Sequence, residues 1–147
     1  MLKKVKLKIE STIDNLSSAG LPEGEPEKSI SQCEGVLRLS DGRASLTYTE
    51  KSEGGEIRTQ IVCLDGQVTV SRAGAIESRL CFVEGETHNS IYSIPPFSFD
   101  ASVKTKRVRV EIGEDDGMID LLYNMTVGGA EKAARMKIWI SQALSQA

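Results

Sequence analysis

The sequence predicts an all-β chain, a single closed antiparallel meander β-barrel of about eight to ten strands. Three observations predict it. Apolar and polar residues alternate with period two along most of the chain. Turn-forming residues interrupt the alternation at short intervals. No long stretch carries the 3.6-residue period of an amphipathic helix. The 147 residues suffice for one domain over residues 1–147. The 39% hydrophobic and 27% charged content is that of a water-soluble globule.

In the first strand Val5, Leu7 and Ile9 share one face, and Lys4, Lys6 and Lys8 the other. Residues 14–28 are expected to form an exposed, disordered loop, because Pro22, Gly24, Pro26 and repeated Glu are poor strand formers. A strand over about 30–39 then ends at Asp41-Gly42, a strong two-residue hairpin signal. The next runs over 43–53, and Gly54-Gly55 is expected to turn it into a strand over 56–64. Asp65-Gly66 leads into 67–72, Ala73-Gly74 into 75–83, and Glu84-Gly85-Glu86 into 87–93. Pro95-Pro96 then interrupts pairing, since neither residue can donate to a ladder.

The stretch from Phe97 to Ile112 changes phase. Phe99, Ala101, Val103 and Thr105 share a side, whereas Val108, Val110 and Ile112 continue it one residue out of step. That slip predicts a β-bulge near Lys106-Arg107. Asp115-Asp116-Gly117 turns into a strand over 118–127, and Gly128-Gly129 opens the last hairpin. In its final strand Met136, Ile138 and Ile140 alternate against Arg135, Lys137 and Trp139. Closure of such a meander removes its exposed edges, which favours a barrel over a two-sheet sandwich.

Several functions are disfavoured. A net charge of −3 argues against a dedicated nucleic-acid binder. The N-terminus lacks the apolar run of a signal peptide, and no stretch is long and apolar enough to span a membrane. Cys33, Cys63 and Cys81 are odd in number and widely spaced, which suits reduced thiols in a cytoplasm. One histidine, His88, and three unclustered cysteines argue against a Cys/His zinc site, and no loop has calcium-ligand spacing. No metal, cofactor or catalytic residue is therefore assigned. Lys104, Lys106, Arg107 and Arg109 cluster around the bulge. Lys4, Lys6, Lys8, Arg135, Lys137 and Trp139 would share one outer surface if the first and last strands pair, and they are read as a solvated face.

More informative are polar residues in phase with apolar ones. The Asp65-Gly66 turn sets Thr59 opposite Arg72, and a turn at Gly54-Gly55 would set Glu50 opposite Thr59. The result is an inward row, Glu50-Thr59-Arg72, with an expected internal ion pair or shared hydrogen-bond network between its ends. Its weak point is that the same register sets Glu53 opposite Glu56 and Lys51 opposite Arg58.

Tyr48-Thr49-Glu50, Thr59-Gln60-Ile61, Val70-Ser71-Arg72-Ala73-Gly74 and Leu80-Cys81-Phe82-Val83-Glu84-Gly85 resemble, in order and spacing, the YwiB-like family of uncharacterised bacterial β-barrel proteins. Glu34-Gly35, Tyr92, Pro95, Val103-Lys104-Thr105 and Tyr123 extend the resemblance over nearly the whole chain. It implies a calycin-like, lipocalin-like closed barrel with no assigned activity. Pro95-Pro96-Phe97 departs from the family's Thr-Pro-aromatic-Gly turn, so one barrel mouth is expected to differ.

Three functions from different classes follow. The first is a non-catalytic binding protein that holds a small, apolar or amphipathic ligand in or at the mouth of the barrel, with Tyr48, Glu50, Thr59, Arg72, Thr105 and Tyr123 as candidate ligand-binding residues. The second is a structural or regulatory module with a filled barrel and a protein partner. The third, an enzyme using Glu50 and Arg72, ranks last.

Overall fold

The computed structural model of the protein describes residues 2–17, 19–113 and 116–142. Among them are β1 (Leu2–Leu16), β2 (Pro22–Ser40), β3 (Arg43–Ser52), β4 (Gly55–Leu64) and β5 (Gln67–Gly74). There follow β6 (Glu77–Phe82), β7 (Thr87–Ile94), β8 (Phe97–Ile112), β9 (Asp116–Val127) and β10 (Ala130–Gln142). Each pairs antiparallel with its neighbour in sequence, and β10 pairs with β1, so the sheet closes into a barrel. The predicted class and meander order both hold.

The Asp-Gly turns set the registers expected of them. Asp65 and Gly66 both take positive φ, 49° and 77°, as a tight hairpin with right-handed strand twist requires. Thr59 accordingly lies opposite Arg72, and Ile61 opposite Val70. In β8 the register shifts between Thr105 and Arg107, so Lys106 is the extra residue of the bulge. Glu84 serves that bulge: the Val108 N–H donates to its carboxylate at 2.9 Å. Pro95 and Pro96 form the two-residue turn between Ile94 and Phe97. Asp115, read as part of a turn, lies outside the described residues.

Two expectations are corrected. Residues 14–28 are exposed over most of their length, but they are not a loop. β1 runs to Leu16 and β2 begins at Pro22, which leaves only a short connection between them. Backbone hydrogen bonds carry this extension, and they need no apolar side chain. Pro26 is tolerated because the register shifts between Ile13 and Asn15, and Gly24 takes φ +74° there. Ser18 lies outside the described residues.

The second correction concerns the turn between β3 and β4. Ser52 pairs with Gly55, so the turn residues are Glu53 and Gly54, not Gly54 and Gly55. Lys51 then faces Glu56, and Thr49 faces Arg58. The choice replaces like-charge pairs with an opposite-charge pair. It also moves Tyr48, not Glu50, opposite Thr59.

Inward positions fill the middle of the barrel. Phe82, Leu46, Ile61, Ile119, Leu121 and Ile138 are fully buried there. The outward phase carries Lys4, Lys6, Lys8, Arg135 and Lys137, the inverse of a barrel built to face lipid. Among the described residues no helix is long and apolar enough to cross a membrane.

Candidate functional site

Strand pairing builds a single row of inward residues across most of the barrel. Tyr48 lies opposite Thr59, Thr59 opposite Arg72, Arg72 opposite Ser78, Ser78 opposite Tyr92, and Tyr92 opposite Phe99. Space for the first member comes from β2, where Gly35 faces Tyr48. A Cβ at Gly35 would lie 2.8 Å from the Thr47 carbonyl oxygen and 2.9 Å from Leu7 Cδ1. Bulk there would force Tyr48 and Leu7 apart.

Polar groups on this row are poorly partnered. The Thr59 and Ser78 hydroxyls on it, and the Thr105 hydroxyl off the row on β8, are buried and have no hydrogen-bond partner among the described residues. Tyr48 stands close enough to Thr59 to feel its hydroxyl, but the two form no well-aligned hydrogen bond. Arg72, half-buried, donates to the thioether of Met136 across the barrel at 3.8 Å, a weak acceptor. Thr105 faces Tyr123 across β8 and β9, and Tyr123 packs edge-on against Phe82 with ring centroids 4.7 Å apart.

Both tyrosines are held protonated. Burial pushes the Tyr48 hydroxyl up to about 12; Glu50 adds to the rise and Arg72 opposes it. Burial likewise raises Tyr123, again against the pull of Arg72. One guanidinium thus acts on both hydroxyls. Thr59 thus lies between Tyr48 and Arg72, Tyr123 lies within electrostatic reach of Arg72, and Thr105 joins the group through Tyr123.

Glu50 is the exception. The corrected register places it opposite Ile57, and its carboxylate accepts a hydrogen bond from Ser31 Oγ at 2.8 Å. The expected Glu50–Arg72 ion pair is not formed: among the described residues no ion pair joins them. Glu50 instead marks the rim of the site, beside Ser31. Ser78, Tyr92 and Phe99 also belong to the row but are not among the candidate ligand-binding residues read from the sequence. Ser78 could have been found from its phase with Leu80.

Beyond the row the wall changes character. Ile94, Phe97 and Phe99, around the β7–β8 turn, are 48%, 64% and 39% exposed. Phe99 leans over Gly128, where a Cβ would approach its ring to 3.2 Å. The site therefore has a polar floor and an apolar lip. The opposite mouth is different. There a cavity of about 830 Å³ opens between Leu39, Ala44, Cys63, Leu64, Val108 and Ile112. Burial pushes the Cys63 thiol up to about 11, so it is an inert wall. None of the buried polar atoms without a partner lies on this cavity's lining.

On the outer wall, Trp139 lies under two lysines, with Lys8 Nζ at 5.2 Å and Lys137 Nζ at 4.8 Å from the ring centroid. Pairing of β1 with β10 sets Lys8 opposite Trp139, as closure requires. His88 bonds to exposed Glu86 at 2.8 Å. Among the described residues no group of three or more His, Cys, Asp or Glu could hold a metal ion.

Comparison with known proteins agrees with this architecture. The uncharacterised β-barrel protein YwiB of Bacillus subtilis (strain 168) is 26% identical over 98 residues, 67% of this chain and 69% of that one. The crystal structure of the YwiB protein from Bacillus subtilis superposes with a TM-score of 0.84 over 97% of this chain and 94% of that chain, at 22% identity. The likeness is one of fold. A family model described as a domain of unknown function, DUF1934, matches residues 15–140. With that match spanning most of the barrel, the chain belongs to the DUF1934 family of uncharacterised β-barrel proteins.

Proposed function

We propose that this barrel is a non-catalytic binding protein that holds a small, partly apolar ligand at the mouth between the β3–β4 and β7–β8 turns. Tyr48, Thr59, Arg72, Thr105 and Tyr123 form its polar floor, Glu50 its rim, and Phe97 and Phe99 its apolar lip. The observation that supports this reading is the set of three buried hydroxyls, on Thr59, Ser78 and Thr105, with no well-aligned hydrogen-bond partner among the described residues. Each such group costs about 1–3 kcal/mol relative to a satisfied one. Stability alone would favour valine or alanine at these positions.

The filled middle of the barrel confines the ligand to the mouth, since no molecule can thread past Phe82, Ile61 and Leu121. Donors locked in one protonation state suit binding better than proton transfer. Three free cysteines, Cys33, Cys63 and Cys81, support a reducing compartment such as the cytoplasm.

Native mass spectrometry of protein purified gently from its own cells tests the reading. A bound small molecule released on denaturation is expected. If instead a polypeptide co-purifies and no small molecule does, the filled barrel is a partner module, a role that the Trp139 stripe would suit.

A further inference from the structure

The binding reading leaves open the chemistry of the ligand's polar end. Among the described residues on the row, only Arg72 brings a positive charge, and it is poorly matched there. Its recorded acceptor is a thioether, and burial weakens the competition from water. Around it stand hydroxyls able to donate: Tyr48 and Tyr123, held protonated, with Thr59 and Ser78 directly opposite Arg72 on the flanking strands. The carboxylate of Glu50 accepts from Ser31 and, among the described residues, forms no ion pair with Arg72, so it does not answer this excess of donors.

A cation ringed by hydroxyl donors needs an acceptor with negative charge. The balance also fixes how much charge. One guanidinium can neutralise one anion, and Glu50 at the rim repels a second negative charge. That balance favours a monoanion over a dianion. The exposed Phe97 and Phe99 side chains at the lip then receive an apolar continuation of the same molecule.

Resting on the binding reading above, we infer that the ligand is an amphipathic monocarboxylate, its carboxylate on Arg72 and the neighbouring hydroxyls, its apolar chain over Phe99 and Phe97.

A matched probe pair tests this on the full chain: octanoate, and 1-octanol as its uncharged analogue, titrated by calorimetry and by chemical-shift perturbation. Octanoate is expected to bind at least tenfold tighter than octanol. R72M, which replaces the guanidinium with a side chain of similar length, is expected to erase that preference while the variant stays folded by circular dichroism. F99A is expected to weaken octanoate severalfold. Equal binding of the two probes overturns the anionic assignment and leaves the binding reading standing. A preference for octanoate that survives R72M overturns the role of Arg72. If neither probe perturbs the Tyr48 or Thr59 signals, the inference fails. The binding reading fails with it only if native mass spectrometry is also empty.

Discussion

Asp120 accepts two hydrogen bonds from one guanidinium: Arg135 Nε donates to Oδ1 at 3.0 Å, and Nη2 to Oδ2 at 2.9 Å. Asp120 has the outward phase of β9, yet it is only 1% exposed, because Arg135 and Arg107 lie across it. The hydrogen bond from Arg135 is the main force that holds this carboxyl below the usual carboxylate range, and it outweighs the opposing effect of burial.

The sign of the pH dependence follows. The folded state binds this proton less readily than the unfolded chain, whose carboxyl titrates near about 3.9. The pair therefore contributes its full stability above that value and loses it as pH falls through the lower, folded value. In Arg135→Ala the Asp120 titration, followed by NMR, is expected to move up towards the ordinary range. Asp120→Ala is expected to lower neutral-pH stability by about 2 kcal/mol, the scale of charge-assisted hydrogen bonds. The difference from wild type should shrink on acidification, and a difference that grows would contradict the pairing.

Thr59→Val and Thr105→Val remove hydroxyls that have no well-aligned hydrogen bond among the described residues. Each is expected to raise the unfolding free energy of ligand-free protein by up to about 1 kcal/mol in denaturant titrations. A loss of similar size would mean that the hydroxyl is satisfied after all.

Arg72→Met is expected to leave stability unchanged or raise it by about 1 kcal/mol, because no carboxylate is left unpaired when the guanidinium goes. An ion pair between Glu50 and Arg72 would instead imply a substantial loss, because Glu50 would be left unpaired. The Ser31–Glu50 hydrogen bond removes that dependence. Urea midpoints of Arg72→Met and Glu50→Gln, singly and together, should be additive within error.

Gly74→Ala and Gly85→Ala separate two kinds of glycine. Both take positive φ, +111° and +80°. At Gly74 an added Cβ would run into the Glu56 carbonyl oxygen, which also accepts the Ala75 N–H at 2.9 Å. At Gly85 it meets nothing within 4 Å. Gly85→Ala should cost about 1–2 kcal/mol from backbone strain alone. Gly74→Ala should cost about 3 kcal/mol or more, from strain plus a steric clash. Equal thermal shifts for the two would count against the close approach at Gly74.

The fold was legible because its punctuation is backbone chemistry. Asp65-Gly66 admits one tight hairpin, and so the Thr59–Arg72 pairing could be read directly. Glu53-Gly54-Gly55 admits two, one residue apart, and that ambiguity misplaced Glu50. The information to resolve it was present in the charges, since only the correct register brings Lys51 to Glu56. The strand character of 22–30 was not legible, because its side chains are exposed and only its backbone pairs with β1. Within the site, Tyr48, Arg72 and Tyr123 were found by phase. Ser78 was missed because a small polar residue carries no periodic signal of its own.

Closure between β1 and β10 sets the order of events on the ribosome. Val5 faces Gln142 and Leu7 faces Ile140, so the first strand made waits for the last before its second edge is covered. Throughout synthesis that edge is open to any extended chain, the circumstance in which nascent β proteins stick to one another. Lys4, Lys6 and Lys8 lie on this strand, one at every second residue. Their mutual repulsion blocks a second copy of the strand from pairing in register, so the stripe that decorates the finished wall also guards the unfinished one.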